Sequence, residues 1–146
     1  MILRPASLED AAVLLAWRND AETRAASFSP DPVSHTAHLA WLKASLGNPQ
    51  RRLWLAVEEG EVGGEVVGTV RADRAGEGWL LSWTIAPEHR GKGCGKRMLA
   101  AALADLQGPF LARIKPGNVA SIRIAESLGF MRVGEVSDEA LSFLRA

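Results

Sequence analysis

Between residues 79 and 106 the sequence passes from an apolar, strand-like run, through the turn Pro87-Glu88-His89 and the loop Arg90-Gly91-Lys92-Gly93-Cys94-Gly95, into a helical pattern from Lys96 onward. That order of strand, glycine-rich loop and helix constrains the rest of the chain. A glycine-rich turn at a helix start leaves several backbone N–H groups without intrahelical partners, and the helix dipole adds partial positive charge at the same place. Glycine at 91, 93 and 95 removes the side chains that would hold a phosphate away, and Arg90, Lys92, Lys96 and Arg97 add full positive charge. The loop therefore reads as a phosphate or pyrophosphate site. It is not a Walker A loop, which would need glycine at Arg90 and Ser or Thr at Arg97. Nor is it the dinucleotide fingerprint, which would need a third glycine at Lys96.

At 146 residues the chain fits one domain, 1–146, long enough to bury about two-thirds of its unfolded surface. A formal net charge of zero argues against a nucleic-acid partner, which usually demands a basic excess. No apolar run approaches membrane-spanning length and the first residues include Arg4, Glu9 and Asp10, so no membrane association and a cytoplasmic location are expected. Cys94 is the only cysteine, which rules out an intrachain disulfide. At a helix start it reads either as a thiol of lowered pKa or, with no histidine evidently paired to it, as a bystander in the loop.

In chain order, residues 2–5 form a short strand and Ser7 caps a helix to about Arg18. Residues 19–32 look irregular, with Pro30 and Pro32 marking a loop, and Ser34 caps a second helix closed by Gly47-Asn48-Pro49. Strands are expected at 52–58 and 65–71, joined by a turn at 59–64, and then at 79–86. Met98, Leu99, Ala102, Leu103 and Leu106 give the following helix an apolar stripe. A strand at 110–114, a helix at 118–128, a strand at 130–136 and a last edge strand at 141–144 complete the pattern.

Arg90, Gly93 and Gly95, following the strand end Ile85-Ala86-Pro87, resemble the acetyl-CoA loop of the GNAT N-acetyltransferase superfamily. Downstream, Asn118-Val119-Ala120-Ser121-Ile122 leading to Leu128-Gly129-Phe130 resembles the family's second signature at the same spacing. The resemblance implies an α/β fold with a mixed, mostly antiparallel central sheet flanked by helices on both faces. It also implies transfer of an acetyl group from acetyl-CoA, as co-substrate and without a metal, to an amine. It places the cofactor on Trp83, Ile85, Arg90, Gly91, Lys92, Gly93, Cys94, Gly95 and Lys96. Asn118 would lie near the pantetheine arm, with Ser121 and Arg123 toward the cofactor's far end. The backbone N–H of Ile85 would stabilise the oxyanion of the thioester carbonyl. Pro87 should end strand pairing nearby and help open a gap beside the strand at 110–114. Asn118 also reads as a plain helix cap.

The chain departs from that pattern in two places. Many relatives carry a tyrosine seven residues after the signature asparagine, to protonate the leaving thiolate, and here Ala125 stands there in a chain without any tyrosine. Many also carry a glutamate near the start of the central strand to help deprotonate the amine, and here that position is about Leu80. Ser82 projects from the same strand face and either holds a water or is simply packed there.

For the acceptor, residues 15–20 together with His38-Leu39-Ala40-Trp41 resemble a GNAT subgroup that acetylates nucleotide-linked amino sugars, of the pseudaminic acid pathway type. His38 and Trp41, three apart on a helix, can face one site, with His38 as base or donor and Trp41 as a stacking face. Arg18 and Arg24 could meet a diphosphate, and Asn19 belongs to the same segment. The plainer alternatives are core tryptophans at 17 and 41 and a helix C-terminal cap at Arg18-Asn19. His35 and His89 read as surface residues. Three functions remain open: acetylation of a small-molecule amine by a monomer or homodimer; acetylation of a protein N-terminus, with Glu58, Glu59, Glu61 and Glu65 attracting a basic partner; and a non-catalytic acyl-CoA sensor, suggested by the missing tyrosine.

Overall fold

Side chains on the strands divide by parity, and each face of the resulting sheet has its own core. The computed structural model describes residues 1–60, 63–134 and 139–146. Its sheet contains β1 (Ile2–Pro5), β2 (Arg51–Gly60), β3 (Gly63–Ala75), β4 (Gly78–Ile85), β5 (Phe110–Ile114), β6 (Met131–Val133) and β7 (Leu141–Arg145). The spatial order is β1-β2-β3-β4-β5-β7-β6, with every pair antiparallel except β4–β5, which is parallel. The helices are α1 (Ala11–Asn19), α2 (Ala21–Ala26), α3 (His35–Leu46), α4 (Cys94–Asp105) and α5 (Val119–Ser127).

On one face Val70, Ala72, Trp79 and Leu81 pack with Met98 and Leu99 of α4 and Ile122 and Ala125 of α5. On the other, Leu53 and Leu55 pack with Leu14 and Trp17 of α1 and Leu42 of α3. Each of the fully buried side chains Leu42, Leu55, Leu81 and Met98 contributes about 1.5–3 kcal/mol by leaving water. The expected mixed, mostly antiparallel sheet with helices on both faces is what forms. Among the described residues no helix is long and apolar enough to cross a membrane.

Three local expectations are corrected. Within 19–32, read as irregular, lies α2, whose first turn is capped by the Asp20 carboxylate accepting from the Thr23 N–H at 3.2 Å. β7, read as an edge strand, lies between β5 and β6, which is why Leu141 and Phe143 are buried and the exposed Met131 sits on the true edge. α4 begins at Cys94 rather than Lys96, so Cys94 and Gly95 belong to its first turn. Val136, at the end of the expected strand 130–136, and part of the turn at 59–64 lie outside the described residues.

α5 ends as its sequence implies. Gly129 takes the left-handed conformation (φ 87°), the Gly129 N–H donates to Glu126 O, and the Phe130 N–H donates to Ala125 O, both at 3.1 Å. This turn carries Phe130 back into the core beside Ala125.

Candidate active site

The site begins where two parallel strands part. β4 and β5 pair only at Trp79↔Phe110, Leu80↔Leu111 and Leu81↔Ala112, whereas β4 stays paired with β3 as far as Gly68↔Ile85. The next residue, Ala86, donates its N–H to Val67 O at 2.8 Å. Antiparallel ladders alternate, so residues 86, 84 and 82 point their backbone polar groups at β3 and residues 83 and 85 point theirs the other way. The N–H and C=O groups of Trp83 and Ile85 thus face the gap that β5 has left. Divergence of the strands after Leu81 makes this gap. Pro87 ends only the pairing with β3, so its expected part in opening the gap is smaller than the sequence implies.

At the mouth of the gap lies the glycine loop. Gly91 (φ 75°) and Gly93 (φ 76°) take backbone conformations that side chains disfavour, and Gly93 is the N-cap of α4. A Cβ on Gly95 would come within 2.5 Å of Ile85 Cδ1 and Ile124 Cδ1, so glycine lets α4 press against β4 and α5. Among the described residues, none of the amide groups of 91–96 finds a hydrogen-bond partner. Six donors at the positive end of a 12-residue helix form a ready site for an anion.

The four cations expected around that anion divide into pairs. Lys92 and Lys96 are exposed and have no carboxylate partner among the described residues, and Lys96 lines the cleft. Arg90 and Arg97 are matched by carboxylates, which offset part of the positive charge that the sequence places around the loop. Arg90 reaches Asp20 at 2.6 Å, Glu22 at 2.9 Å and the Thr23 hydroxyl at 3.1 Å, which holds the Asp20 carboxyl below its ordinary range. Arg97 pairs with Glu58 and lowers that carboxyl likewise. Cys94 is 4% exposed in the α4-side core, with Arg97 Nη2 donating to its Sγ at 3.5 Å.

A cleft of about 1140 Å³ joins this loop to the opposite face of the sheet. Its end at the glycine loop is lined by Trp83, Ile85, Arg90, Gly91, Gly93, Cys94, Gly95 and Lys96, together with Asn118, Ser121 and Arg123. Asn118 caps α5 by accepting from the Ser121 N–H at 3.2 Å. The indole Nε1 of Trp83 is buried and lacks a partner among the described residues. Ala125 is fully buried in the core and does not line the cleft, so the position offers nothing to a leaving group.

At the other end are Trp17, Arg18, His38, Trp41, Arg71 and Ser82. His38 is 5% exposed, its ring 5.4 Å from that of Trp41 and tilted by 36°. Neither ring nitrogen makes a hydrogen bond among the described residues. Burial, then the charges of Arg18 and His35, push its pKa below the ordinary histidine value, so the imidazole is neutral at pH 7. Arg18 donates through Nη2 to Ser29 O at 2.6 Å, while its Nη1 is buried and unpartnered among the described residues.

Asn19 and Arg24 are not among the residues lining the cleft. Asn19 both donates to and accepts from the Val33 backbone at 2.8 Å, and Arg24 Nε donates to Pro30 O at 3.0 Å. Both are occupied in shaping the loop between α2 and α3, whereas the sequence reading places them at the acceptor. Lys92 also stands outside the cleft lining. His35 is exposed as expected, but His89 is not a surface residue: its side chain is 13% exposed, lines the cleft and lies 3.1 Å from Glu65. Of the hairpin glutamates, Glu58 and Glu65 have partners, and Glu61 lies outside the described residues. Sequence reasoning also missed Arg71, a charge in mid-strand between the fully buried Val70 and Ala72. That interruption of an apolar run was the available signal.

Against known proteins, the sequence matches the acetyltransferase (GNAT) domain over residues 1–131. The chain belongs to the GNAT acetyltransferase family. A ribosomal-protein-alanine N-acetyltransferase from Brucella melitensis is 27% identical, with a TM-score of 0.75 over 99% of this chain and 96% of that one. The protein yncA from Salmonella typhimurium, solved with acetyl-CoA, is also 27% identical, with a TM-score of 0.72 over 99% of this chain and 91% of that one. A domain from Methanocaldococcus jannaschii superposes at a TM-score of 0.87 over 99% and 96% of the two chains at 20% identity, a likeness of fold. No curated protein matches the sequence. As a GNAT enzyme this protein is an acetyl-CoA-dependent N-acetyltransferase, and acetyl-CoA is its co-substrate. The unpartnered amides of 91–96 and the open edge of β4 fit that molecule's pyrophosphate and pantetheine arm.

Proposed function

We propose that this GNAT enzyme acetylates the primary amine of a small molecule, best matched by a nucleotide-linked amino sugar. The carrying observation is the makeup of the cleft on the α1 and α3 side. Trp17 and Trp41 offer ring faces for a base or sugar, His38 is neutral, and two guanidinium groups face inward. Glu22 is the one carboxylate among the lining residues, and Arg90 already holds it. A polyamine would meet cations there and no free carboxylate, so like-charge repulsion selects against it.

An ammonium group must lose a proton before it can attack a thioester carbonyl. His38 takes that proton, directly or through a water held by Ser82. The Ile85 N–H, turned into the gap, donates to the carbonyl oxygen as charge develops there. The amides of 91–96 with Lys96 hold the pyrophosphate, Asn118 and the open edge at Trp83 hold the arm, and Ser121 and Arg123 receive the far end. Acetyl-CoA supplies the acyl group as a thioester. Its thiolate is far less basic than an alkoxide, so it leaves without a side-chain acid at Ala125.

The test is release of free coenzyme A from acetyl-CoA with UDP-linked 4-amino sugars, basic peptides beginning with alanine, and polyamines. Turnover confined to the amino sugars is expected. Turnover confined to the peptides would instead establish the second reading, N-terminal acetylation of a protein, which the 27% identity to the Brucella melitensis enzyme favours.

A further inference from the structure

Arg18 and Arg71 line the cleft, where Glu22 is the one carboxylate among the lining residues. Arg51 and Arg71 share the single carboxylate of Asp73, Arg71 at 3.1 Å. Arg18 has no carboxylate partner among the described residues, and its Nη1 is buried without any hydrogen bond. A buried guanidinium nitrogen left unpartnered has lost its water without a replacement, and a ligand oxygen would supply one. Arg18 and Arg71 come from different elements, α1 and β3, yet both line the one cleft with Trp17, His38, Leu53 and Ser82. The register puts Arg71 beside Leu53 on one side and Ser82 on the other, on the sheet face opposite α4. The cofactor's phosphates belong at the α4 N-terminus, so these two arginines are not needed for them.

We propose that Arg18 and Arg71 together bind an acidic group of the acceptor, so that the preferred substrate is an amine carrying a carboxylate or phosphate on the same molecule. The inference rests on the acceptor lying in this half of the cleft and adds which chemical class it must be. Planar guanidinium forks pair with two oxygens of an oxyanion at once, which fixes orientation as well as affinity. With the acid anchored between α1 and β3, the amine at the other end of a short molecule is directed toward His38 and the open edge of β4. A neutral amine of the same shape lacks that anchor.

Two measurements test this, both with the cofactor site filled by saturating coenzyme A or acetyl-CoA. In the first, binding of inorganic pyrophosphate is followed calorimetrically for the wild-type protein, Arg71→Gln, Arg18→Gln and the charge-preserving Arg71→Lys. Wild-type binding weakened about tenfold or more by each glutamine variant and largely kept by lysine is the expected result, the loss typical of a hydrogen bond to a charged group. In the second, acetyl transfer is compared within the pairs glucosamine 6-phosphate and glucosamine, and alanine and alaninamide. A preference for the acidic member, collapsing in Arg71→Gln through KM more than kcat, supports the anchor, and the pair that shows it tells phosphate from carboxylate. Turnover of neutral and acidic amines alike, unchanged by Arg71→Gln, overturns the inference while the acceptor reading stands. Pyrophosphate binding lost in the variants, without turnover of these amines or of UDP-linked 4-amino sugars, supports the anion site and overturns the acceptor reading. Failure of the folded wild-type protein to bind pyrophosphate overturns the anion site outright.

Discussion

His38 carries two separable consequences of one buried ring. Its pKa lies below the ordinary value of 6.5 because burial disfavours the imidazolium and Arg18 and His35 add repulsion. As the proposed base it would therefore stay competent as pH falls past 6.5, and the acidic limb of kcat/KM is expected below that value. His38→Ala should lower kcat about a hundredfold, within the usual range for a general base, and remove the limb. An unchanged limb in that variant would take the base role from His38. Folding responds with its own sign. Below pH 6.5 the unfolded chain binds a proton that the folded chain refuses, so stability falls as pH drops from 6.5 toward the folded pKa. His38→Gln should flatten that part of the stability curve whether or not the ring is catalytic.

Among elements, α2 shows both the reach and the limit of reading this chain. The glycine loop, α4, α5 with its Gly129-Phe130 turn, and β5 at Phe110–Ile114 are legible because each is punctuated by residues with a local reason to be there. α2 is six residues without a buried side chain, so no apolar stripe announces it. Its only signal is the Asp20 cap. What holds it is Arg90, seventy positions later, through Asp20 and Glu22, and pairing at that separation leaves no mark in sequence. The loop bonds of Arg24 and Asn19 are illegible for the same reason, since a side chain's choice between a ligand and a loop carbonyl is made in three dimensions. The latch also ties the acceptor side to the cofactor loop. Asp20→Asn keeps a good N-cap but weakens the ion pair, so thermal stability should change by no more than about 1 kcal/mol, the worth of a partly exposed pair. The KM for acetyl-CoA should rise severalfold because the loop loses its tether. A variant with unaltered KM would show that the loop holds its shape unaided.

At the scale of the whole molecule, the parted strands divide the sheet unequally. β1 to β4 form one long antiparallel stack, whereas β5, β7 and β6 are joined to it through three paired positions, 79–81 with 110–112, and through α4 and α5 packed across the join. A wing held by so short a ladder should open at lower free energy than the stack. On the proposed reading the cofactor's arm lies in the gap and touches both sides, and binding to the closed form alone would stabilise it by about 2.7 kcal/mol at a hundredfold excess over Kd. Hydrogen exchange should therefore slow most, on addition of acetyl-CoA, at the amides of β5, β7 and α5 and at Trp83 and Ile85, with little change in β1 and β2. Uniform slowing across all strands would mean that the sheet opens only as a whole, and that the gap is a rigid slot rather than a joint closed by its substrate.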